Sequence, residues 1–416
     1  MVVKEPPAAT RNACNLCAPL GACLALRGVA GAVPFLHGSQ GCATYIRRYL
    51  ISHFREPVDI AVSGFSEATT VFGGGPNLHQ GLNNVARQYH PELIGIATTC
   101  LPETIGEDVG LLLREFRPEA SAPCPLVHVS TPSYRGTHAD GFHATVKALV
   151  EQLAEGGPAN ERVNVFPGMV SPADLRYLKE VLADFGLAAT LLPDYSETLD
   201  GPQLEEYQKI PAGGTPVQSI RAMGRARMSL ELGRATAAAS LESRFGVART
   251  RLGWPIGVLE SDRFFAALAE LSGRPTPEKH AQERGRLVDS YVDAHKYVFG
   301  RRAVVYGEED LVVGLNSFLT EIGVEPVLCG GSDFATIGEM ARGLAPDFMI
   351  GSSKGYSLAR ELDIPLIRVG FPIHDRIGGQ RILHLGYRGA QQLFDAVTNT
   401  LLERAQERSP VGYSYL

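Results

Sequence analysis

The amino-acid sequence predicts an α/β fold of three Rossmann-like domains, each a mainly parallel sheet flanked by helices. Two features carry this reading. Short apolar runs of strand length recur along the chain, each closed by glycine, serine or a polar turn. Longer stretches with helical character separate them, which is the alternation that helix-covered parallel sheets require. The 416 residues are also too many for one compact core and suggest about two or three domains.

Taken in order, Ala32–His37, Leu93–Thr98 and Leu126–Ser130 read as strands, with helices over Ala43–His53, Leu78–Tyr89 and Gly141–Leu153. Gly156, Gly157 and Pro158 then break the pattern and set a first domain over 1–157. A second, 158–298, opens with a strand at Val163–Phe166, a helix from Pro172 and Asp174, and a strand at Ala188–Leu192. Its stretch Thr215–Leu241, rich in Arg, Ala, Met and Leu after Gly213 and Gly214, reads as one or two helices forming a helical insertion. The third domain, 299–416, repeats the theme with strands at Ala303–Tyr306, Glu325–Leu328, Phe348–Ile350 and Leu366–Val369. No short-period sequence repeat accompanies this repeated architecture.

Composition excludes several function classes. A hydrophobic fraction of 44% and a charged fraction of 20% are ordinary for a globular protein and argue against disorder. A net charge of -6 provides no basic footprint for nucleic acid. The start, MVVKEPPAAT, lacks the basic-then-apolar order of a secretory leader, and seven cysteines, an odd number, then fit a reducing cytoplasm better than a disulfide framework. Ala18–Leu36 is the nearest approach to a membrane span, but Arg27, Pro34 and Gly21, Gly28 and Gly31 interrupt it. A buried helix followed by a strand is expected there, and no membrane partner.

Cys17, Cys42, Cys100 and Ser133 each sit among turn-forming residues, in CAPLGA, HGSQGC, TTCLPETIGED and TPSYRGTH. A packing cysteine needs apolar neighbours, whereas a metal-binding one needs a tight turn or helix start that leaves the sulfur accessible. Cys42, Cys100 and Ser133 follow predicted strands, and ligands of doubly wound sheets lie beyond the carboxyl ends of strands. Soft sulfur donors on separate loops suit an iron–sulfur centre, or zinc.

Other motifs have plainer readings. Cys14 and Cys17 form a C-x2-C pair, but a zinc ribbon needs a second pair, which is absent. Cys14 reads as a spare or outer thiol, Cys23 as a packed helix residue, and Cys124 and Cys329 as structural. Gly73-Gly74-Gly75 is equally an anion cradle or a plain turn. His37 is expected to hydrogen-bond its own loop. Glu103, Glu107 and Asp108 are expected in a first helical turn, where carboxylates meet the positive end of the helix dipole. Arg47 and Arg48 read as a solvated helix face. No P-loop motif occurs, so any ATP hydrolysis belongs to another polypeptide.

In combination these motifs resemble the β subunits of the nitrogenase component 1 superfamily. The resemblance runs through CAPLGA, PFLHGSQGC, FGGGPNL, IGIATTCLPETIGEDV, TPSYRGTH, LLPDYSETLDG, PIGVLESDRF, PDFMIGSSKG and PLIRVGFPIHDRIGG, nearly the whole chain. It implies three Rossmann-type domains per subunit, pairing with an α-like subunit in an α2β2 heterotetramer, and an ATP-hydrolysing iron protein as electron donor. It implies an eight-iron P-cluster at the α/β boundary, a four-iron cluster being the alternative, with the substrate-reducing metal cofactor in the α-like subunit. Cys17, Cys42 and Cys100 fall on the family's three β-subunit P-cluster cysteines, and Ser133 on the serine that can ligate the oxidised cluster.

Retention of all three thiols resembles the reductases more than the cofactor-assembly scaffold, whose β-like chain usually keeps fewer, or the dark-operative protochlorophyllide reductases, which use another ligand set. The chain is also shorter than a molybdenum-nitrogenase β subunit and lacks its long N-terminal extension, which points away from dinitrogen reduction. The run GSQGCATYIRRYLISHFREPVDIA resembles the methylthio-alkane reductase branch, which cleaves carbon–sulfur bonds in small thioethers. The function expected is therefore electron relay in a nitrogenase-like reductase, with a cofactor-assembly scaffold as the alternative.

Overall fold

The computed structural model describes residues 13–119, 124–331 and 333–411. Three four-stranded sheets organise them. The first contains β1 (Ala32–His37), β2 (Ala61–Val62), β3 (Leu93–Thr98) and β4 (Leu126–Val129) in the order β2-β1-β3-β4, all neighbours parallel. The second contains β5 (Val163–Phe166), β6 (Ala189–Leu191), β7 (Met228–Leu232) and β8 (Arg249–Leu252) in the order β6-β5-β7-β8. The third contains β9 (Arg302–Tyr306), β10 (Glu325–Gly330), β11 (Phe348–Gly351) and β12 (Leu366–Arg368) in the order β10-β9-β11-β12, again parallel. The same order recurs three times, as the repeated strand–helix rhythm of the sequence predicts.

The described residues group into two compact units. One comprises 16–176 and 188–251 and carries the first two sheets; the other comprises 177–187, 252–411 and the N-terminal segment through Asn15, and carries the third. Among the described residues no helix is long and apolar enough to cross a membrane.

β1 and β3 are buried along their whole length, so both faces take apolar side chains and no alternation is seen. Val33, Phe35, Ile94 and Ile96 pack against Leu78, Leu82 and Val85 of the helix Gly75–Tyr89. Fully burying each such side chain contributes roughly 1.5–3 kcal/mol. The helix Ala18–Arg27, buried at every residue, lies against the helix His138–Leu153. Only glycine permits that approach: a Cβ on Gly21 would sit 1.7 Å from the His138 carbonyl oxygen, and one on Gly141 1.9 Å from that of Ala18. The contact fixes the start of the first helix, and with it Cys17.

The Thr215–Leu241 stretch corrects its sequence reading. It holds a short helix, Val217–Arg221, then strand β7, then the start of a helix, Ala237–Phe245. Helix-forming composition is overridden here by pairing with β5. Glu231 in the strand is fully buried, accepts the Ala238 N–H at 2.9 Å, and its pKa is raised by burial.

Candidate metal centre

In the first sheet the crossovers leave β1 and β3 in opposite directions, to β2 on one side and β4 on the other. The carboxyl ends of β1 and β3 thus flank a topological switch point, where such sheets place ligands. Cys42 lies in the first turn of the helix Gln40–Phe54 that follows β1, and Cys100 opens the helix Cys100–Ile105 that follows β3. Cys17 caps the helix Ala18–Arg27, and Ser133 lies in the turn after β4. All three cysteines are therefore at helix N-termini, where the backbone favours negative charge.

The three sulfurs feel one another. The Cys17 thiol is pushed up by burial and further by Cys42 and Cys100, opposed by the Leu20 amide; Cys42 is pushed up by burial and then by Cys100. The Cys100 sulfur meets the Ser133 hydroxyl at 2.5 Å and accepts the Ser133 N–H at 3.3 Å. The structure thus brings the four predicted residues to one rim. None is disulfide-bonded, and each cysteine is half-buried.

Charge on this array opposes itself: burial and the neighbouring sulfurs both disfavour the Cys17 and Cys42 thiolates. A positive metal body between them reverses that balance, because a thiolate bound to metal is deprotonated outright. Among the described residues no three His, Cys, Asp or Glu side chains converge closely enough to hold a single ion. Three thiols on separate turns, with a hydroxyl beside one of them, are nonetheless the soft donor chemistry that an iron–sulfur centre takes.

The remaining cysteines separate from the rim. Cys14 is buried in the apolar core of the third sheet beside Val304, Tyr306 and Leu328, and burial pushes its pKa up to about 12. It groups with the other compact unit from Cys17. Cys23 is fully buried within its helix. Cys124 packs on the first-sheet core, and Cys329 donates to Asn316 Oδ1 at 3.6 Å.

The polar residues beside the rim differ from their sequence readings. His37 bonds not to its own loop but to Ser63 Oγ at 3.0 Å and Glu107 Oε2 at 2.7 Å. Burial lowers its pKa against the pull of Glu107. A neutral ring in this setting would donate Nε2–H to Glu107 and accept the Ser63 hydroxyl at Nδ1. Glu107 lies beyond the end of the helix Cys100–Ile105, and it also accepts the Gly74 N–H. The glycine run is thus a cradle for an anion, and the anion is the chain's own. Only Glu103 occupies the first turn. It accepts hydrogen bonds from the Thr98 and Ser130 hydroxyls, while Asp108 caps the next helix at Leu111 N, 2.9 Å.

Sequence reasoning missed these ties because their partners are 27 to 70 residues distant for Ser130 and His37. One local signal was available: Gly106, with φ 78, marks a helix end before Glu107. Arg48 is exposed as expected, whereas Arg47 also donates to the Val58 carbonyl at 2.7 Å. Near the rim's helices and turn stand large exposed apolar side chains, Tyr45, Val71, Phe72, Ile105 and Tyr134, with Phe72 87% exposed.

Comparison with known proteins meets this geometry. A model of the family described as nitrogenase component 1 type oxidoreductase matches residues 17–336 and 329–402. The chain belongs to that family. This component 1 type chain is 34% identical to the nitrogenase molybdenum-iron protein beta chain of Clostridium pasteurianum, over 97% of its own length and 96% of the relative's. It is 37% identical to the corresponding beta chain of Methanothermobacter marburgensis, over 94% of both. It is also 33% identical, over 98% of its length and 92% of the relative's, to the iron-molybdenum cofactor biosynthesis protein NifN of Bradyrhizobium diazoefficiens. Among solved structures, a chain of nitrogenase Cp1 superposes with a TM-score of 0.95 at 32% identity, covering all of this chain and 98% of that one. Chain length, expected to set the protein apart from molybdenum-iron beta chains, does not do so for the Clostridium relative, which is spanned almost end to end.

Proposed function

We propose that this chain is the β-type subunit of a nitrogenase-like reductase, working in the cytoplasm. In this reading Cys17, Cys42 and Cys100 ligate a P-cluster-type eight-iron centre, with Ser133 as a further oxygen ligand. An α-like subunit supplies the other ligands in an α2β2 assembly, and an ATP-hydrolysing iron protein supplies electrons. When bound, the cluster supplies the electron-transfer chemistry. This chain's residues hold it, desolvate it and fix its orientation. The observation that carries the reading is the convergence of three helix-terminal thiols, from separate turns, on one switch point of a parallel sheet.

Two further features support it. Five large apolar side chains, Tyr45, Val71, Phe72, Ile105 and Tyr134, stand exposed near the rim's helices and turn, surface that a partner subunit would cover. The relatives named as beta chains match over nearly their whole lengths. Domain limits after residues 157 and 298 belong to the same proposal, since one four-stranded sheet falls within each of the three segments. For the substrate we propose a small methylthio-alkane, undergoing reductive carbon–sulfur cleavage, on the resemblance of residues 38–61 alone.

The test is anaerobic turnover by the purified α/β complex with its reductase and ATP. Thiol and hydrocarbon released from a thioether support the full reading. Reduction of dinitrogen instead retains the reductase and replaces the substrate. Transfer of a metal cofactor to an acceptor with no turnover makes the chain a scaffold.

A further inference from the structure

We propose that Glu103 is a positioning residue that holds Ser133 against Cys100 and thereby sets the serine's reach as a ligand. The inference rests on the cluster reading above. Its geometry is a continuous chain of bonds across two strand ends. Glu103 Oε1 accepts both the Thr98 hydroxyl, at the end of β3, and the Ser130 hydroxyl, just past β4, the latter at 2.6 Å. Thr98 Oγ1 in turn accepts the Thr131 N–H at 2.9 Å, and the Thr131 hydroxyl donates to the Thr98 carbonyl at 2.8 Å. Thr98 and Thr131 are buried, so these bonds are not exchanged for water without cost.

At the open end of this clamp sit Cys100, two residues past Thr98, and Ser133, two residues past Thr131, in hydrogen-bond contact. Among the described residues no hydrogen bond joins Glu103 to either side chain. Glu103 lies one helical turn from Cys100 on the same short helix and joins that helix to the serine's turn. Partners behind metal ligands commonly fix ligand orientation in this way. Without the carboxylate, the Thr98–Thr131 pair still joins the strands, but the link from Cys100's helix to Ser130 is lost and the Ser133 turn gains freedom.

The test is a double-mutant cycle read on the midpoint potential of the cluster in the assembled complex. Ser133→Ala is expected to shift the midpoint by about 59 mV or more, a tenfold change for one electron. In a Glu103→Ala background the same substitution is expected to produce less than about a third of that shift, because the serine is already displaced. Glu103→Gln, which keeps an acceptor oxygen, is expected to retain the full shift. Equal shifts in the wild-type and Glu103→Ala backgrounds overturn the proposal. Should Glu103→Ala fail to assemble, Ser130→Ala cuts the other end of the same bond and must show the same loss of coupling. If Ser133→Ala alone leaves the midpoint unmoved, serine ligation is refuted, and the clamp is then read on the iron-free complex. There Glu103→Ala must speed alkylation of Cys100 by about threefold or more, as its serine cover is released; an unchanged rate overturns the clamp.

Discussion

At Gly38 one methyl group can perturb both the fold and the cysteine rim. It follows β1, has φ 155, and lies against Thr99, the residue before Cys100. A Cβ there would stand 1.9 Å from Thr99 Oγ1 and 2.9 Å from both Thr99 Cβ and Cγ2. Alanine at such a φ costs of order 1–3 kcal/mol of backbone strain, and the overpacking about another 1–3 kcal/mol. Gly38→Ala is therefore expected to destabilise by about 2–6 kcal/mol and, because the displaced atoms belong to the turns of Cys42 and Cys100, to reduce bound iron. Thr99→Ala removes two of the three clashing atoms, and its Oγ1 has no hydrogen-bond partner to lose. It should restore about 1 kcal/mol or more in the double variant. Chemical denaturation of the complex, with iron measured on the same samples, decides. A Gly38→Ala variant within about 0.5 kcal/mol of wild type, or strictly additive effects with Thr99→Ala, refutes this account of the rim.

Three other outcomes are expected. Gly141→Ala drives a methyl into the Ala18 backbone, with no flexible side chain to yield, and should cost about 1–3 kcal/mol in denaturation while loosening the Cys17 turn; wild-type stability contradicts the helix contact. Glu180 is held down to about 2 by its hydrogen bond to Arg388, with burial opposing and Lys279 assisting. A depressed carboxylate adds stability above its unfolded pKa and loses it as pH falls through the folded one. Glu180→Gln should flatten the fall in denaturation midpoint between about pH 4.5 and pH 2, and an unchanged acid slope contradicts that. Glu231→Leu removes the acceptor of the Ala238 amide and should cost about 1–2 kcal/mol, measured the same way; a neutral effect would show that this bond does not anchor the helix Ala237–Phe245.

How much was legible follows from the kind of interaction involved. β1, β3 and β5 were readable to the residue because each is a buried apolar run stopped by glycine, threonine-rich turn or proline. Helix starts were read late: Gly75 and Pro76 open the helix Gly75–Tyr89, yet glycine and proline look like loop until the helix that follows is known. β7 was hidden by helix-forming residues, and β8, Arg249–Leu252, by an exposed polar alternation at the sheet's edge. The thiol positions showed in sequence because turn residues surround them. Their carboxylate supports did not: Glu103 and Glu107 act on Ser130, His37 and Gly74 through space, and only the folded chain juxtaposes those partners.

The central claim is that Cys17, Cys42 and Cys100 together hold one iron–sulfur body shared with a neighbouring subunit. Iron bound per α/β complex, purified without oxygen, tests it most directly for wild type and for Cys42→Ala, with Cys23→Ala as the buried-thiol control. The account predicts that iron and its visible absorbance collapse in Cys42→Ala and persist wherever Cys23→Ala assembles. Undiminished iron and absorbance in Cys42→Ala would contradict it.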